Sequence, residues 1–127
     1  MNYILSKNFL LLYLLSCVGA RACFFDKPIT VTVADSLPQN SPPLRLHCAS
    51  GDNELGYHTL TNGQNFHFKF CAFETTLFFC HLWWNGKDLA FDVFKNNSNR
   101  DKCPNRKCYW EAKSDGIYLN GKQKYKW

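Results

Sequence analysis

The feature that most constrains this chain is the stretch of residues 74–84, Glu-Thr-Thr-Leu-Phe-Phe-Cys-His-Leu-Trp-Trp. Its β-branched and aromatic side chains favour an extended strand, and apolar residues fall on both alternating faces. Because a strand that is apolar on both faces needs cover on both, the pattern predicts a central strand with residues such as Phe79 buried. A buried helix is the alternative for so short an apolar run, but nearby Asn-Gly turn signals favour the strand.

The first 22 residues have the features of a secretory signal peptide. One charge, Lys7, precedes an apolar run at residues 9–15, and small residues lead to Ala20-Arg21-Ala22. The run is too short for a membrane-spanning helix, which needs about 20 residues. We therefore predict cleavage after Ala22, or alternatively after Ala20, and a single secreted, extracellular domain of residues 23–127.

Short strands separated by turns make up the rest of the chain. Further β-rich or alternating segments occur at residues 29–33, 44–48, 57–61, 65–70, 89–94, 108–113 and 117–119. Asx-Gly pairs lie at residues 62–63, 85–86, 115–116 and 120–121. Such pairs are typical of type I′ hairpin turns, because Asn, Asp and Gly tolerate positive φ. They predict antiparallel pairing, including a hairpin of residues 57–61 with residues 65–70.

These segments together predict an all-β fold. About eight short strands, with no amphipathic helix of convincing length, favour a disulfide-stapled antiparallel β-sandwich of immunoglobulin-like or fibronectin-like architecture. A small closed barrel is the alternative, because periodicity does not distinguish the two.

Six cysteines would remain after cleavage, an even number that suits disulfides formed in an oxidising compartment. They are Cys23, Cys48, Cys71, Cys80, Cys103 and Cys108. Alternation points Cys48, Cys80 and Cys108 inward, while Cys103 lies in a polar loop, so the preferred pairs are Cys48 with Cys108 and Cys80 with Cys103. The remaining two could form a third bridge, although six cysteines allow 15 pairings. A structural zinc site is a weak rival, because no second cysteine pair or suitably spaced histidine pair is present.

Positive charge is concentrated in the last third of the chain. Residues 23–94 hold four Lys or Arg against seven Asp or Glu, whereas residues 95–127 hold nine against three. The loop of residues 95–107 is a candidate recognition loop, with Lys95, Arg100, Lys102, Arg106 and Lys107 as its basic residues. Basic residues also alternate along residues 122–126, so a cationic patch is expected if the two regions adjoin.

The same loop contains the chain's single N-glycosylation sequon, Asn96-Asn97-Ser98. The loop has no apolar periodicity, so we expect it to be exposed. A cationic patch there would attract an acidic receptor surface, an anionic polysaccharide or a membrane face. The net charge of residues 23–127 is only +3, from the balances of −3 and +6 above, which together with export disfavours nucleic acid as a partner.

Several short motifs occur in a fixed order along the chain. They are Leu46-His47-Cys48, Glu54-Leu55-Gly56-Tyr57-His58, Thr75-Thr76-Leu77-Phe78-Phe79-Cys80, Phe91-Asp92-Val93-Phe94, Cys108-Tyr109-Trp110, Asp115-Gly116-Ile117-Tyr118 and Lys126-Trp127. Together they resemble the plant self-incompatibility S-protein homologue family over residues 29–127. The resemblance implies a small secreted β-sandwich with disulfides, related to pistil-secreted ligands that act on pollen. Two departures are Glu74, where the family usually has Gly, and Cys23 with Cys71, which lie outside the family's usual four cysteines.

Catalysis has little support in the sequence. A ribonuclease would need one His as base, another as acid and a Lys at the phosphate. Here His47 alternates outward beside Arg45 and His67 beside Lys69, which is the pattern of solvated strand faces. The glutamates are scattered, and no nucleophile elbow or phosphate-binding Gly-rich loop occurs.

We therefore expect a non-enzymatic extracellular signalling ligand, without cofactor or metal, that acts through its polar loops on a cell-surface receptor protein. We expect a monomer that neither binds nucleic acid nor inserts stably into membranes. A secreted defence protein or membrane-active toxin and a small secreted ribonuclease are the alternatives.

Overall fold

The computed structural model describes residue 23 and residues 28–96 and 103–127. These described residues form nine strands: β1 (Ile29–Asp35), β2 (Leu44–Ser50), β3 (Glu54–Leu60), β4 (Asn65–Phe70), β5 (Leu77–Trp84), β6 (Lys87–Lys95), β7 (Lys107–Lys113), β8 (Gly116–Leu119) and β9 (Lys122–Tyr125). One 3-10 turn, Pro104–Arg106, precedes β7, and the described residues contain no α-helix. The predicted signal peptide, residues 1–22, lies outside the described residues.

The strands form two sheets that pack face to face, so the predicted β-sandwich is confirmed. One sheet has the order β4-β1-β7-β8-β9 and the other the order β3-β2-β5-β6. Neighbouring strands are antiparallel except β1 and β7, which run parallel. The prediction of antiparallel pairing is wrong at this one place, because β1 and β7 are distant in sequence and no hairpin turn fixes their relative direction.

Strand β5 is central, as the sequence predicted, because it pairs with β2 on one side and with β6 on the other. Its inner side chains are buried: Phe78, Cys80, Leu82 and Trp84. Burial on both faces is not observed, since Phe79 on the outer face is 37% exposed. The reason is architectural: in a sandwich of two sheets, each sheet has only one covered face.

The core lies between the two inner faces. The predicted inward residues of β2 and β6 take part: Leu44, Leu46 and Cys48 are buried, as are Phe91 and Val93, with Leu89 partly buried. Large rings meet across the layers, with the ring centroids of Phe70 and Phe78 4.5 Å apart and those of Phe91 and Trp110 4.8 Å apart. The Trp110 indole N–H donates a 3.1 Å hydrogen bond to the Val93 carbonyl oxygen, which joins the two sheets.

Two of the predicted hairpin turns have the expected type I′ backbone. Asn85 and Gly86 join β5 to β6 with φ values of 52° and 77°, and Asn120 and Gly121 join β8 to β9 with φ values of 48° and 88°. Positive φ at both central positions is what a type I′ turn requires.

The predicted hairpin of residues 57–61 with residues 65–70 is wrong. Strand β3 pairs with β2, whereas β4 pairs with β1 in the other sheet, so the connection between them crosses from sheet to sheet. The end of β1 and the segment after it hold this connection: the Asn62 side-chain amide donates to the Leu37 carbonyl oxygen, and the Gly63 N–H donates to the Asp35 carbonyl oxygen. The Asn-Gly pair therefore turns the chain without pairing its flanking strands.

The disulfides join Cys23 to Cys71, Cys48 to Cys80 and Cys103 to Cys108. The first is the third bridge left open by the sequence, but the preferred pairs Cys48–Cys108 and Cys80–Cys103 are wrong. Alternation placed these cysteines on the correct faces without showing which strands are neighbours. Cys48 and Cys80 are opposite each other on adjacent strands, with Cα atoms 4.1 Å apart.

Candidate functional site

A cleft of about 500 Å³ lies where the two sheets meet along β6. Strand β6 forms one side, and β7, β8 and the edge strand β9 contribute the other. Apolar side chains form its walls: Val93, Phe94, Trp110, Leu119 and Tyr125. The Tyr125 ring packs against Phe91 and Trp110, at centroid distances of 5.2 and 6.3 Å, so this side of the cleft is built from packed rings.

Three basic residues line the cleft: Lys95 at the end of β6, Arg106 in the 3-10 turn and Lys124 on β9. Among the residues that the structure describes, the Asp92 carboxylate is the one acidic group that lines the cleft with them. All four residues are exposed to solvent. The basic loop and the basic final segment therefore do adjoin, which was the condition for a cationic patch. We call this feature the basic cleft.

Of the other basic residues of the candidate recognition loop, the structure describes only Lys107, which does not line the basic cleft. Lys107 is exposed, pairs with Thr30 of β1 and lines a neighbouring hollow with Lys69. Arg100 and Lys102 lie outside the described residues. The sequence did not identify Asp92 or Tyr125 as parts of a site, because the cleft exists only where strands distant in sequence meet.

Asn96, the sequon residue, follows β6 and also lines the basic cleft. It is half-buried rather than fully exposed. Its backbone N–H donates to the Thr76 carbonyl oxygen at 3.2 Å, and its side-chain amide donates to the Phe73 carbonyl oxygen at 2.8 Å. Glycosylation at Asn96 stays a prediction, and a glycan attached there would begin at the rim of the cleft.

The histidines lie on both sheets. His67 is exposed on β4, with Nδ1 3.2 Å from the Asn65 side-chain oxygen. His47 on β2 pairs through Nε2 with the Glu54 carboxylate at 2.5 Å. The pKa of Glu54 is held below its ordinary value by this bond and by a hydrogen bond from the Gly56 N–H. Among the described residues, no group of three or more His, Cys, Asp or Glu is placed to hold a metal ion.

Residues 23, 28–96 and 103–127 include no helix that is apolar and long enough to cross a membrane. The two packed sheets, the three disulfides and the basic cleft define a small disulfide-bonded β-sandwich protein with a charged site where its sheets meet.

A family model described as plant self-incompatibility protein S1 matches residues 30–127, and the chain belongs to this family. S-protein homolog 5 of Arabidopsis thaliana is 37% identical over 101 residues, which cover 78% of this chain and 76% of that protein. S-protein homolog 29 of the same plant is 32% identical, with coverage of 91% and 87%. Self-incompatibility protein S1 of Papaver rhoeas is 31% identical over 87% of this chain and 81% of its own. No solved structure matches the chain.

Proposed function

We propose that this protein is a secreted, non-enzymatic signalling ligand that binds an acidic surface of a cell-surface receptor through the basic cleft. The observation that carries the proposal is the convergence of Lys95, Arg106 and Lys124 around one cleft, from three separate elements of the chain. Membership of the self-incompatibility family, including similarity to self-incompatibility protein S1, supports a role in signalling between cells. The ligand acts as a monomer and needs no cofactor.

The composition of the cleft suits a protein partner. Among the described residues of its lining, three cations stand against one carboxylate, that of Asp92, and such a balance favours a positive local potential that steers an acidic surface toward the site and raises the association rate. Its exposed wall includes Tyr125, and aromatic side chains provide much of the binding energy at protein interfaces. Protein–protein interfaces commonly combine a polar or charged rim with aromatic side chains nearer the centre. The basic cleft has the same combination.

The scaffold also suits this role. Loops carried on a rigid sandwich hold their contacts in place, so little ordering energy is lost on binding. The Cys103–Cys108 disulfide spans the 3-10 turn that carries Arg106, and Lys124 lies on a paired strand. Lys95 also lies on a paired strand, opposite Leu77, so the backbone positions of all three cations are held in place before any partner arrives.

The test is a triple substitution that removes the cations of the cleft, Lys95→Gln with Arg106→Gln and Lys124→Gln. The matched control is Lys69→Gln with Lys87→Gln and Lys126→Gln, which removes the same charge from exposed positions that do not line the cleft. Both purified variants are checked for an unchanged thermal midpoint. Binding of fluorescently labelled protein to responding cells is then measured at 50 and 150 mM salt.

The cleft variant should lose binding at least tenfold at 150 mM salt, while the control keeps it. Equal losses in the two variants would indicate attraction by net charge alone. Unchanged binding by the cleft variant would show that recognition uses another surface, and RNA cleavage that depends on a histidine would contradict the non-enzymatic assignment.

A further inference from the structure

The two outer faces of the sandwich differ in chemistry. The five-stranded sheet presents an ordinary polar surface, with Thr30, Thr32, His67, Lys69 and Tyr109 side by side on β1, β4 and β7. The four-stranded sheet presents instead Arg45, His47, Tyr57, Phe79, His81 and Trp83. We call this second surface the aromatic face. A solvated sheet face needs only polar side chains, so a continuous group of rings exposed to water indicates a binding surface.

The rings of the aromatic face are ordered by stacking. Tyr57 stacks on His47 across β2 and β3, with centroids 4.4 Å apart and planes at 25°. Trp83 stacks on His81 along β5, at 3.9 Å and 13°. The Tyr57 and Trp83 rings are themselves 6.1 Å apart at 25°, which makes one nearly parallel array over three strands. Tyr57 nevertheless remains 60% exposed, so its side chain is accessible to a ligand.

Polar groups at fixed positions border the rings. The Glu54 carboxylate accepts from His47 and from the Gly56 N–H, and the Asp88 carboxylate lies 2.8 Å from His81 Nε2. The Arg45 guanidinium lies 5.1 Å from the Tyr57 ring centroid. Both carboxylates are more than half exposed and keep lone pairs for further hydrogen bonds, and Arg45 has several donors.

We propose that the aromatic face binds an uncharged polysaccharide chain. A pyranose ring has an apolar C–H surface that packs on aromatic rings, and its hydroxyl groups lie around the edge, where they can donate to carboxylates and accept from a guanidinium. The aromatic face has the same arrangement, with rings in the middle and hydrogen-bonding groups at the border. The proposed site is distinct from the basic cleft and goes beyond the proposed receptor-binding function.

The charges of the face select against anionic partners. Two carboxylates, Glu54 and Asp88, border the rings, against one guanidinium, that of Arg45. This excess of carboxylates would repel an acidic polysaccharide or an anionic lipid surface. A neutral sugar chain would not be repelled. Insertion of the rings into a bilayer would also require burial of both carboxylates, which is costly.

The experiment measures binding of the purified full chain to immobilised oligosaccharides. The probes are uncharged cellohexaose and a xyloglucan heptasaccharide, with oligogalacturonate as the anionic comparison. The test variants are Tyr57→Ala and Trp83→Ala. The control is Tyr109→Ala, which removes an exposed tyrosine from the opposite sheet, where Tyr109 is 42% exposed.

The wild-type protein should bind at least one uncharged probe, and each test variant should weaken that binding at least tenfold while the control binds as wild type does. Binding of oligogalacturonate alone, or of no probe, would overturn the proposal, and so would equal losses in Tyr57→Ala and Tyr109→Ala. The triple variant of the basic cleft should still bind the uncharged probe. Failure of the polysaccharide proposal is therefore separate from failure of the receptor proposal.

Discussion

Removal of the Cys48–Cys80 disulfide is expected to be the most informative perturbation of stability. The two cysteines are fully buried and lie 32 residues apart in sequence. The chain-entropy relation for a loop of that length gives a contribution of about 3.7 kcal/mol at 25 °C. Cys103 and Cys108 are only five residues apart, and the same relation gives about 2 kcal/mol for their loop.

The assay compares urea unfolding of the oxidised wild type with the double variants Cys48→Ala/Cys80→Ala and Cys103→Ala/Cys108→Ala. The first should lose about 3.7 kcal/mol of unfolding free energy, and its urea midpoint should fall by about 2 M. The second should lose roughly half as much. Because small domains have only about 5–15 kcal/mol in total, the first loss is a large share of the stability.

Single substitutions test the pairing itself. Cys48→Ala should leave one thiol that is alkylated at Cys80, whereas the pairing with Cys108 would leave the thiol at Cys108. Peptide mapping distinguishes the two results. Alkylation at Cys108, or a larger loss from the Cys103→Ala/Cys108→Ala variant than from the other, would refute the reasoning.

Three further predictions concern other parts of the fold. Phe78→Ala should lower the free energy of unfolding in urea by about 3–5 kcal/mol, because Phe78 is only 4% exposed. Phe79→Ala on the aromatic face should lower it by less than about 1 kcal/mol. Similar losses in the two variants would contradict the faces assigned to these residues. Gly116→Ala should clearly lower the thermal midpoint, because Gly116 has φ 151° and a Cβ there would collide with a β9 carbonyl oxygen. Gly51→Ala should leave the midpoint unchanged, because a Cβ at Gly51 would meet open space. Burial raises the pKa of Asp35 above its ordinary 3.8, so the protonated carboxyl is favoured in the folded state. The unfolding free energy of wild type relative to Asp35→Asn should therefore fall as pH rises from 3.8 to the raised pKa, and a difference independent of pH would count against this explanation.

The sequence alone determined the local features of this protein. The period-two alternation of Leu44, Leu46 and Cys48 predicted a strand and its inward side, because successive side chains of a strand point to opposite faces. Asn85-Gly86 predicted a hairpin turn, because few other residues adopt positive φ at both positions. Motif order predicted the family, and composition predicted that the last third is basic.

Only the tertiary structure decided which strands became neighbours. Alternation shows which side of a strand faces the core but carries no information on its partner, so it misassigned the disulfide of Cys48 and the pairing of β4. The same limit applies to the sites. Lys95, Arg106 and Lys124 meet because β6 and β9 lie at one side of the sandwich, and Tyr57 stacks on His47 because β3 pairs with β2. These long-range pairings depend on how two complete sheets bury their apolar faces against each other, and that packing is a property of the whole chain.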